Sequence, residues 1–439
     1  MKRLILILIC LVPTFLWAQN HSQHVVKAGE TMYGIARTYG VTMEALESAN
    51  PNVHDYVIQV GQVLNIPAPP AGIVPDRGTA DGTLHGSAKT LRVGVMMPLL
   101  DTSDRAKRYL EFYRGLLMAA DSVRREGGRL EVYGWNYATD DTLQDLYAAN
   151  PQMGSLDVIF GPTENAQIPA LAEFCRAHNI RLVIPFSHSY DFSGNPNVYS
   201  ATATQEVVAL SAAELMYRAK PNRNYVIMMS NVGDVRGLQF TDAAREVLKT
   251  KGLSVNIVNI NCDEMALQSV LQPNMENCIL VDNTTSAILD KMVARLRSFK
   301  QNHPNYTFSL QGYPEWQGFA SKYKNTLHEF DTYTYCTYYR FADSPRVQHF
   351  EERYKSFFRS PMRKALPQLG LQGFDLGYYF MHGLSVLGSS FDVAQGSMKC
   401  DPLRDIFLFE KVCEGGGYTN QAIQLIHYTP QHNLERITP

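Results

Sequence analysis

The chain has 439 residues, of which 45% are hydrophobic, and its 40 basic and 42 acidic side chains leave a formal net charge of −2. A chain of this length predicts roughly three folded units at about 150 residues each. The hydrophobic fraction is that of an ordinary globular protein. The balanced charge argues against a nucleic-acid-binding protein, which would carry a basic stripe or patch.

The N-terminus predicts an export signal. Lys2 and Arg3 precede an apolar run that ends at Trp17, and Ala18 offers a small residue for cleavage. The run is shorter than the roughly 20 residues that a membrane span needs. We therefore predict a cleaved signal peptide at residues 1–18, which would place the protein in the periplasm or cell envelope.

Two alternatives for this segment are weaker. An uncleaved membrane anchor would require a continuous apolar run, and Pro13 interrupts this one. A lipoprotein would be attached through Cys10, but Ile9 precedes it where a small residue is usual. We expect a secreted protein without a lipid.

Removal of the signal would leave six cysteines: Cys175, Cys262, Cys278, Cys336, Cys400 and Cys413. An even number in an oxidising compartment permits disulfides but does not determine their pairing. No Cys-x-x-Cys motif occurs, which argues against a zinc ribbon or a thioredoxin-like site. We expect several of the six to be buried free thiols, because unpaired cysteine packs as a small hydrophobic residue.

Residues 24–67 follow the pattern strand, helix, helix, strand. After the strand HVVK, four residues recur at helical spacing: Met32, Ile35, Ala36 and Tyr39. A second helix, MEALESAN, follows Thr42 and stops at Pro51, and the strand VLNIP closes the unit. Isolated helices this short are marginal in water, so each must pack on the other and on the strands.

This segment resembles a lysin motif (LysM) module over its whole length. The matching pieces are Gly29-Glu30-Thr31, Tyr39-Gly40-Val41, Asn50-Pro51, and Val60-Gly61-Gln62 leading to Ile66-Pro67. The resemblance implies binding of N-acetylglucosamine-containing glycans, chiefly peptidoglycan, in a shallow groove between two loops. The glycan-binding residues that it implies are Gly29, Glu30, Thr31, Met32, Asn50, Pro51, Ile58 and Val60. The alternative is a spacer whose groove binds nothing.

Residues 68–90 predict a flexible linker. The segment reads APPAGIVPDRGTADGTLHGSAKT, in which Gly, Pro, Ala, Ser and Thr dominate. It has no apolar periodicity, and such a composition is typical of a tether between folded units.

From Leu91 onward, apolar strands and amphipathic helices alternate. The run LRVGVMMPLL is typical of a parallel strand buried on both faces. The alternation restarts after VYSATAT with a second set of similar length. This pattern predicts an α/β protein with doubly wound parallel sheets in two lobes.

These two lobes resemble the type 1 periplasmic-binding-protein fold, in its leucine/isoleucine/valine-binding branch. The resemblance runs in order from about Leu91 to Tyr428 and rests on LRVGVMMPL, the Gly161-Pro162 loop, IRLVIPFS and GFDLGYYF. It implies three chain crossings between the lobes, which we expect near Thr204, Leu327 and Ser390. The predicted domain is 91–430, with lobe 1 at about 91–204 and 328–390, and lobe 2 at about 205–327 and 391–430.

Candidate ligand residues follow from the strand ends. In open α/β sheets, ligands bind beyond the carboxyl ends of the strands. This rule selects Leu99, Thr163, Glu164, Asn165, Ser187, His188, Asn231, Asp234, Glu315 and Trp316. The resemblance implies that hydroxyl groups of lobe 1 hold a ligand carboxylate and that an acid of lobe 2 meets the ligand amine.

The chain departs from this family at Glu164 and Asn165, which stand where the family tends to have hydroxyl residues. A ligand carboxylate beside Glu164 would be repelled. We therefore expect neutral or cationic ligands, with Glu315 or Asp234 as a cation anchor and Trp316 stacked on a ring or sugar. Two alternatives remain open: Glu164 as an ordinary acid at a helix N-terminus, and Trp316 as a core residue.

The sequence carries no Gly-x-Ser-x-Gly, His-Glu-x-x-His or P-loop motif. We therefore predict no enzyme, no cofactor and no metal site. The expected function is an envelope receptor or substrate-binding protein that binds peptidoglycan and a small solute: an amino acid, amine, sugar or wall fragment. A membrane transporter or another envelope protein could be its partner. The alternatives are a structural or partner-binding protein with a vestigial cleft and, less favoured, a cell-wall hydrolase.

Overall fold

The computed structural model describes residues 22–27, 30–32, 35–36, 39, 41, 43–53, 58–67, 89–186, 188–364, 366–398 and 400–438. The predicted signal peptide, Gly29, Ser187 and most of the predicted linker lie outside the described residues. The chain divides into two compact units, Met1–Arg77 and Gly78–Pro439. None of the described helices is long and apolar enough to cross a bilayer.

The small unit contains strand β1 (Ser22–Val25), helix α1 (Met43–Ser48) and strand β2 (Val63–Ile66). The two strands are antiparallel, and Met32, Ile35 and Ala36 of the predicted first helix are helical. Its apolar core is made of these three residues together with Val26, Leu46, Leu64 and Ile66. The helices pack on the strand pair, as the sequence pattern requires.

The large unit contains the remaining elements. Its strands are β3 (Leu91–Met97), β4 (Leu130–Asn136), β5 (Val158–Phe160), β6 (Arg181–Ile184), β7 (Val198–Ser200), β8 (Asn224–Met229), β9 (Val255–Asn259), β10 (Glu276–Val281), β11 (Thr307–Gly312), β12 (Thr332–Cys336), β13 (Phe409–Lys411), β14 (Tyr418–Asn420), β15 (Gln424–Tyr428) and β16 (Leu434–Ile437). Its helices are α2 (Asp104–Arg125), α3 (Leu143–Ala149), α4 (Ile168–Ala177), α5 (Gln205–Ala219), α6 (Val235–Thr250), α7 (Glu264–Val270), α8 (Ser286–Asn302), α9 (Ala320–Glu329), α10 (Pro345–Phe358), α11 (Leu369–Leu387) and α12 (Phe391–Ala394). Short 3₁₀ turns include Asn165–Gln167 and Pro314–Gly318.

The described strands of the large unit form two sheets, one for each lobe. The order in lobe 1 is β13-β14-β7-β6-β5-β3-β4, and the order in lobe 2 is β16-β15-β12-β11-β10-β8-β9. In each lobe the first five strands therefore follow the order second, first, third, fourth, fifth, and all five are parallel. This is a doubly wound arrangement, so the predicted fold class is confirmed.

The chain crosses between the lobes at three places. The first crossing follows β7 at residues 201–204, where we expected one. The second follows β12 at residues 337–344, and the third follows β14 at residues 421–423. The crossings expected near Leu327 and Ser390 therefore need correction, because the chain leaves each lobe later than predicted.

The predicted lobe segments need the same correction. Strand β12 was assigned to lobe 1, but it pairs with β11 through Gln311↔Tyr333 and completes the sheet of lobe 2. Strands β13 and β14 were assigned to lobe 2, but Tyr418↔Tyr199 joins β14 to β7 in lobe 1. The sequence identifies these segments as strands, but the choice of sheet depends on long-range pairing that no local pattern records.

In lobe 1, helix α2 packs unusually close to α11. A Cβ atom on Gly115 would overlap the Gly370 carbonyl oxygen, and one on Gly373 would overlap the Phe112 carbonyl oxygen. Glycine is required at both positions because the two backbones approach within the space of a methyl group. This contact fixes α2, whose first turn lies beside the candidate site.

The six cysteines of the predicted mature chain are all free thiols. Cys175, Cys278 and Cys336 are buried. They pack as small hydrophobic residues, in agreement with the expectation for unpaired cysteine.

Candidate functional site

The carboxyl edges of the two sheets meet at the crossings. Strands β7 and β14 end at the carboxyl edge of the lobe 1 sheet, and each continues directly into a crossing. The third crossing runs from Asn420 to Gln424, and Gln424 pairs with Cys336 at the carboxyl end of β12. The four residue-to-residue steps from Asn420 to Gln424 span at most about 14 Å, so the ends of β14 and β12 lie close together. The loops that follow the parallel strands therefore line an interlobe cleft.

In lobe 1, a hydrogen-bonded network joins the loops after β3, β4 and β5. Leu100 donates its backbone N–H to Asn136 Oδ1 at 3.0 Å, and Ala138 donates its own to Asp141 Oδ2 at 2.7 Å. Gln167 Nε2 donates to the Ala138 carbonyl oxygen at 2.6 Å. This network holds the 3₁₀ turn after β5 across the end of β3, which is where strand order reverses and ligands bind in such sheets.

Two oxygens at this edge have no hydrogen-bond partner among the described residues: Thr163 Oγ1 and Gln167 Oε1, both buried. The Gln167 side chain is 6% exposed. Because its Nε2 is needed by the Ala138 carbonyl, the unpaired atom is the acceptor oxygen. We had selected Thr163 from the sequence but not Gln167, whose only signal is its place in the loop GPTENAQ after β5.

Glu164 is paired with an arginine. Its Oε1 lies 3.1 Å from Arg105 Nη2, and Arg105 Nε also donates to Tyr109 Oη at 2.9 Å. The Glu164 side chain does not cap the 3₁₀ turn that follows it. Glu164 nevertheless stands at a helix N-terminus, as the N-cap residue of the 3₁₀ turn that leads into α4, so the alternative of an ordinary acid at this place agrees with its position in the fold. The repulsion expected between Glu164 and a ligand carboxylate is offset by the Arg105 charge, while Asn165 beside it is exposed.

His188 is held as a neutral ring. Ser200 Oγ donates to the Thr202 carbonyl, so it must accept from His188 Nε2 at 2.8 Å. His188 Nδ1 in turn accepts from the Tyr190 backbone N–H at 3.2 Å. Burial lowers the pKa of His188, which agrees with a ring that has one donor and one acceptor. Both ring nitrogens are therefore occupied inside lobe 1.

In lobe 2, Asp234 makes hydrogen bonds that join the loop after β8 to the loop after β10. Its Oδ1 accepts from the Gly237 N–H at 2.7 Å and caps α6. Its Oδ2 accepts from the backbone N–H and the hydroxyl of Thr284, at 2.6 and 2.8 Å. Burial alone would raise the pKa of Asp234, but these hydrogen bonds outweigh it and lower the pKa below the ordinary value. Its acceptor positions are thus engaged within lobe 2.

Two residues that we had not selected complete this edge. Buried Asp282 accepts from the Ser230 N–H at 2.8 Å, and Asn283 Nδ2 donates to the Val232 carbonyl at 2.7 Å. Asn231 adopts a left-handed conformation with φ 66° and accepts from Asn259 Nδ2 at 2.8 Å. The loop after β8 is therefore tied to β9 and β10 and is internally satisfied.

Glu315 and Trp316 have different environments. Glu315 Oε1 lies 2.6 Å from Arg236 Nε, and both side chains are about a third exposed. The Trp316 ring is 0% exposed, and its Nε1 donates to the Thr284 carbonyl at 3.1 Å. No face of the ring is open to a ligand, so Trp316 is a core residue of lobe 2 and not the stacking platform that we expected.

Apolar side chains lie exposed on both sides of the cleft. Val232 and Val235 are 62% and 76% exposed in the loop and first turn after β8. Leu100 is 43% exposed in the corresponding loop of lobe 1, next to the half-buried Leu99. A closed cleft would cover these side chains, either against a ligand or against the opposite lobe.

In the small unit, the implied glycan residues divide into buried and exposed groups. Thr31, Met32 and Asn50 are buried, and the Asn50 amide bonds to the Leu46 and Asn65 carbonyls at 2.7 and 2.8 Å. Asn50 therefore holds the fold together. The more accessible members are Glu30, Pro51, Ile58 and Val60, the last of which is 69% exposed.

Glu30 is anchored at the edge of the small unit. Its Oε2 lies 2.6 Å from His24 Nε2 and accepts from the Lys27 N–H at 2.7 Å. His24 Nδ1 lies 3.1 Å from Tyr39 Oη, so the three side chains form a chain of polar contacts. This fixes the loop that leads into the first helix.

The comparison of families identifies the small unit. The model of the LysM domain family matches residues 24–67. Residues 24–67 are a LysM domain.

Within the described chain, no group of three or more His, Cys, Asp or Glu side chains is arranged to hold a metal ion.

Two relatives match the chain through the LysM domain. The human "LysM and putative peptidoglycan-binding domain-containing protein 2" is 45% identical over 49 residues, which cover 11% of this chain and 23% of the relative. The "Secreted LysM effector ELP2" of Colletotrichum higginsianum is 36% identical over 44 residues, which cover 10% of this chain and 25% of the relative. The matched segment thus spans about a quarter of these relatives.

The large unit has solved structural relatives. One is described as a "putative branched-chain amino acid ABC transporter" from Rhodospirillum rubrum. It is 12% identical with a TM-score of 0.50, and the match covers 80% of this chain and all of the relative. At this identity the likeness shows the fold alone: the two lobes have the periplasmic-binding-protein fold.

Proposed function

We propose that this is an exported cell-envelope protein that binds peptidoglycan through its LysM domain and a small solute in the interlobe cleft, without transforming either. The observation that carries the proposal is the presence on one chain of a LysM domain and of two lobes whose carboxyl edges face each other. The protein would act as a receptor or substrate-binding protein held close to the wall. Fold alone does not determine function, so each half needs its own test.

For the LysM domain, the proposed contact surface is formed by the exposed Pro51 and Val60 and the partly buried Glu30 and Ile58. The full chain should co-sediment with purified peptidoglycan and should bind chito-oligosaccharides. A single shallow groove offers few contacts, so the binding should be weak. Attachment to a second binding domain raises effective affinity only when both find partners at the same place.

A matched pair of valines tests this surface. Val60 is 69% exposed in the proposed loop, whereas Val25 is 55% exposed on β1. Val60→Asp should lower the fraction bound to peptidoglycan several-fold, while Val25→Asp should leave it unchanged. The glycan proposal is wrong if the wild-type chain stays in the supernatant at low salt, or if the two variants bind equally well.

For the cleft, the proposed ligand contacts both lobes and favours the closed form. Candidate contacts are the loops after β3 and β5 in lobe 1 and the loop after β8 in lobe 2. A ligand that binds only the folded state adds about 2.7 kcal/mol at a hundredfold excess over its dissociation constant. Such a gain should raise the melting temperature by about 2 °C or more per kcal/mol.

A thermal-shift screen of the full chain against amino acids, amines, sugars and wall fragments tests the cleft. X-ray scattering with a ligand that gives a shift should show a smaller lobe separation than without it. A complete absence of shifts, with one lobe separation under every condition, would exclude the solute-binding half of the proposal. The alternative of a partner-binding protein would then be favoured, and the exposed Val232 and Val235 would be the first surface to test for contact with a partner.

A further inference from the structure

The hydrogen-bonding state of the cleft side chains restricts the chemistry of its ligand. The three acids that we had selected for the cleft all have partners: Glu164 with Arg105, Asp234 with Thr284 and Gly237, and Glu315 with Arg236. A ligand ammonium group would find each of these carboxylates already engaged. A desolvated charge without a counter-charge is costly, so a cationic ligand gains little from these three acids.

Two unpaired groups at the lobe 1 edge are neutral. Among the described residues, Thr163 Oγ1 and Gln167 Oε1 are both buried without a partner, and Gln167 is more than nine-tenths buried. They lie in one loop after β5, at the point where strand order reverses in lobe 1. A buried acceptor without a donor is unfavourable, and structures rarely leave one unless a ligand or a water supplies the donor.

The orientation of Gln167 decides which ligand group fits. The Ala138 carbonyl takes the Gln167 Nε2 donor at 2.6 Å, so Oε1 is fixed as an acceptor. A carboxylate ligand would bring another acceptor to this position and would be repelled. A hydroxyl or an amide N–H would donate to Gln167 Oε1, and Thr163 Oγ1 would accept or donate beside it.

We propose that the interlobe cleft takes a neutral ligand rich in hydroxyl or amide donors, such as a sugar or an acetamido sugar, and that Gln167 Oε1 and Thr163 Oγ1 receive those donors. The exposed Leu100, Val232 and Val235 fit the apolar face of a sugar ring or an acetamido methyl group. The inference rests on the proposed solute-binding function and adds the ligand class and a specificity-determining residue, Gln167.

Isothermal titration calorimetry on the full chain tests the ligand class. The probes are glucose for hydroxyl donors, N-acetylglucosamine and chitobiose for added amide donors, leucine as a zwitterion, isobutyrate as an anion and isoamylamine as a cation. At least one neutral probe should bind, and more tightly than the three charged probes. Because the LysM domain is itself expected to bind acetamido sugars, only the part of their binding that Gln167→Glu removes would identify the amide as the donor received by Gln167.

Two variants localise the binding. Thr163→Val removes the hydroxyl without breaking any hydrogen bond observed in lobe 1, and Gln167→Glu replaces the neutral amide by an anion. Loss of one neutral hydrogen bond weakens binding by about three- to tenfold, and the Gln167→Glu effect should be at least as large. Gln348→Glu is the control, because Gln348 also donates to a backbone carbonyl but lies on α10. Any signal from the LysM domain is common to all variants and cancels.

The outcomes separate the two proposals. Neutral probes that bind and lose affinity in both cleft variants but not in Gln348→Glu support the inference. Tighter binding of leucine, isobutyrate or isoamylamine overturns the ligand class while solute binding stands. Neutral binding that Thr163→Val and Gln167→Glu leave unchanged overturns the assignment to Gln167 and Thr163, and solute binding in the cleft then depends on the thermal-shift screen alone. No binding by any probe, together with no shift in the solute screen, removes the cleft function itself.

Discussion

The two lobes share the order of their first five strands, but the polar side chains of their cleft loops differ in their hydrogen-bond partners. In lobe 2, Asp234, Asp282 and Asn283 tie the loop after β8 to the end of β10, and each has its partners within the lobe. In lobe 1, the loop after β5 leaves Thr163 Oγ1 and Gln167 Oε1 without a partner among the described residues. Two corresponding strand-end loops can therefore differ, one bonded within its own lobe and the other open to hydrogen bonding with a ligand, although lobe 2 also has unpaired oxygens elsewhere, at Gln311 and Gln424.

The loop after β8 can offer a ligand shape and apolar contact but few new hydrogen bonds, because its polar side chains are bonded within lobe 2. An edge with unpaired acceptors can gain free energy from a ligand donor because the acceptors are already desolvated. We therefore expect lobe 1 to decide ligand specificity and lobe 2 to supply a fixed surface.

The largest expected effect tests the core of lobe 2. Trp316→Ala removes a fully buried ring and its hydrogen bond to Thr284, and should lower the free energy of unfolding by about 3–5 kcal/mol. Chemical denaturation followed by circular dichroism measures this. Glu315→Ala, which removes a partly exposed ion pair, should cost less than about 1 kcal/mol. If the Trp316→Ala protein keeps wild-type stability but loses ligand binding, Trp316 is a ligand-contact residue and not a core residue.

The second effect compares the two helices that follow the first strand of each lobe. Asp234 caps α6 and also accepts two hydrogen bonds from Thr284, whereas Ser103 Oγ caps α2 by accepting from the Ala106 N–H and donates only to the exposed Asp101. Asp234→Ala should cost about 2–3 kcal/mol, because it leaves several donors without an acceptor. Ser103→Ala should cost about 0.5–1 kcal/mol. If urea denaturation gives equal losses in the free energy of unfolding for the two variants, the hydrogen bonds of Asp234 to Thr284 do not stabilise lobe 2 beyond an ordinary helix cap.

The third prediction concerns the amino edge of the lobe 2 sheet, which lies opposite the cleft, and the ion pairs of Asp331 there. Asp331 precedes β12 and contacts Lys220 Nζ at 2.7 Å and His427 Nε2 at 2.6 Å. Burial alone would raise the pKa of Asp331, but the hydrogen bonds from His427 and Lys220 lower it below the ordinary value of 3.8. Asp331→Asn should lower the free energy of unfolding by about 1–2 kcal/mol at pH 7, because Lys220 is partly screened by solvent.

The sign of the pH dependence follows from the lowered pKa. The unfolded chain binds a proton at Asp331 before the folded chain does, so the stabilisation is present above about pH 4 and is lost as the pH falls through the folded pKa. The difference between wild type and Asp331→Asn, measured in urea at pH 7, 5 and 3, should therefore narrow towards pH 3. A constant difference would show that the Asp331 charge does not contribute.

The sequence is sufficient for the elements and the fold class because both depend on local patterns. The buried run from Leu91 and the alternation after it predict parallel strands and helices, and the short spacing of residues 24–67 predicts the LysM pattern. The placement of β12, β13 and β14 could not be predicted, since sheet membership depends on pairings such as Gln311↔Tyr333, between segments far apart in the chain or separated by turns of variable length.

The candidate site was predictable only as a set of loops. The strand-end rule selects Thr163, Glu164, Asp234 and Glu315, but it cannot tell which of them are already bonded. The Arg105–Glu164 pair and the Asp234–Thr284 bonds join segments that are 59 and 50 residues apart, so no local spacing in the sequence predicts them. Trp316 illustrates the same limit, because a tryptophan beside a strand end has equal prospects of core and surface until its neighbours are known.

The smallest effect is also the sharpest test of the comparison, because it uses the same substitution in both lobes. The Thr284 hydroxyl donates to Asp234 Oδ2 at 2.8 Å, whereas Thr163 Oγ1 is buried and has no partner in the part of the chain that the structure describes. Thr284→Val should lower the free energy of unfolding by about 1 kcal/mol, the typical worth of a buried hydrogen bond. Thr163→Val removes a buried polar atom that gains nothing in the ligand-free protein, so stability should be unchanged or slightly higher. Urea denaturation without ligand decides between these outcomes: equal losses at both positions would mean that Thr163 has a partner within lobe 1, and the acceptor that we assign to the ligand would then already be in use.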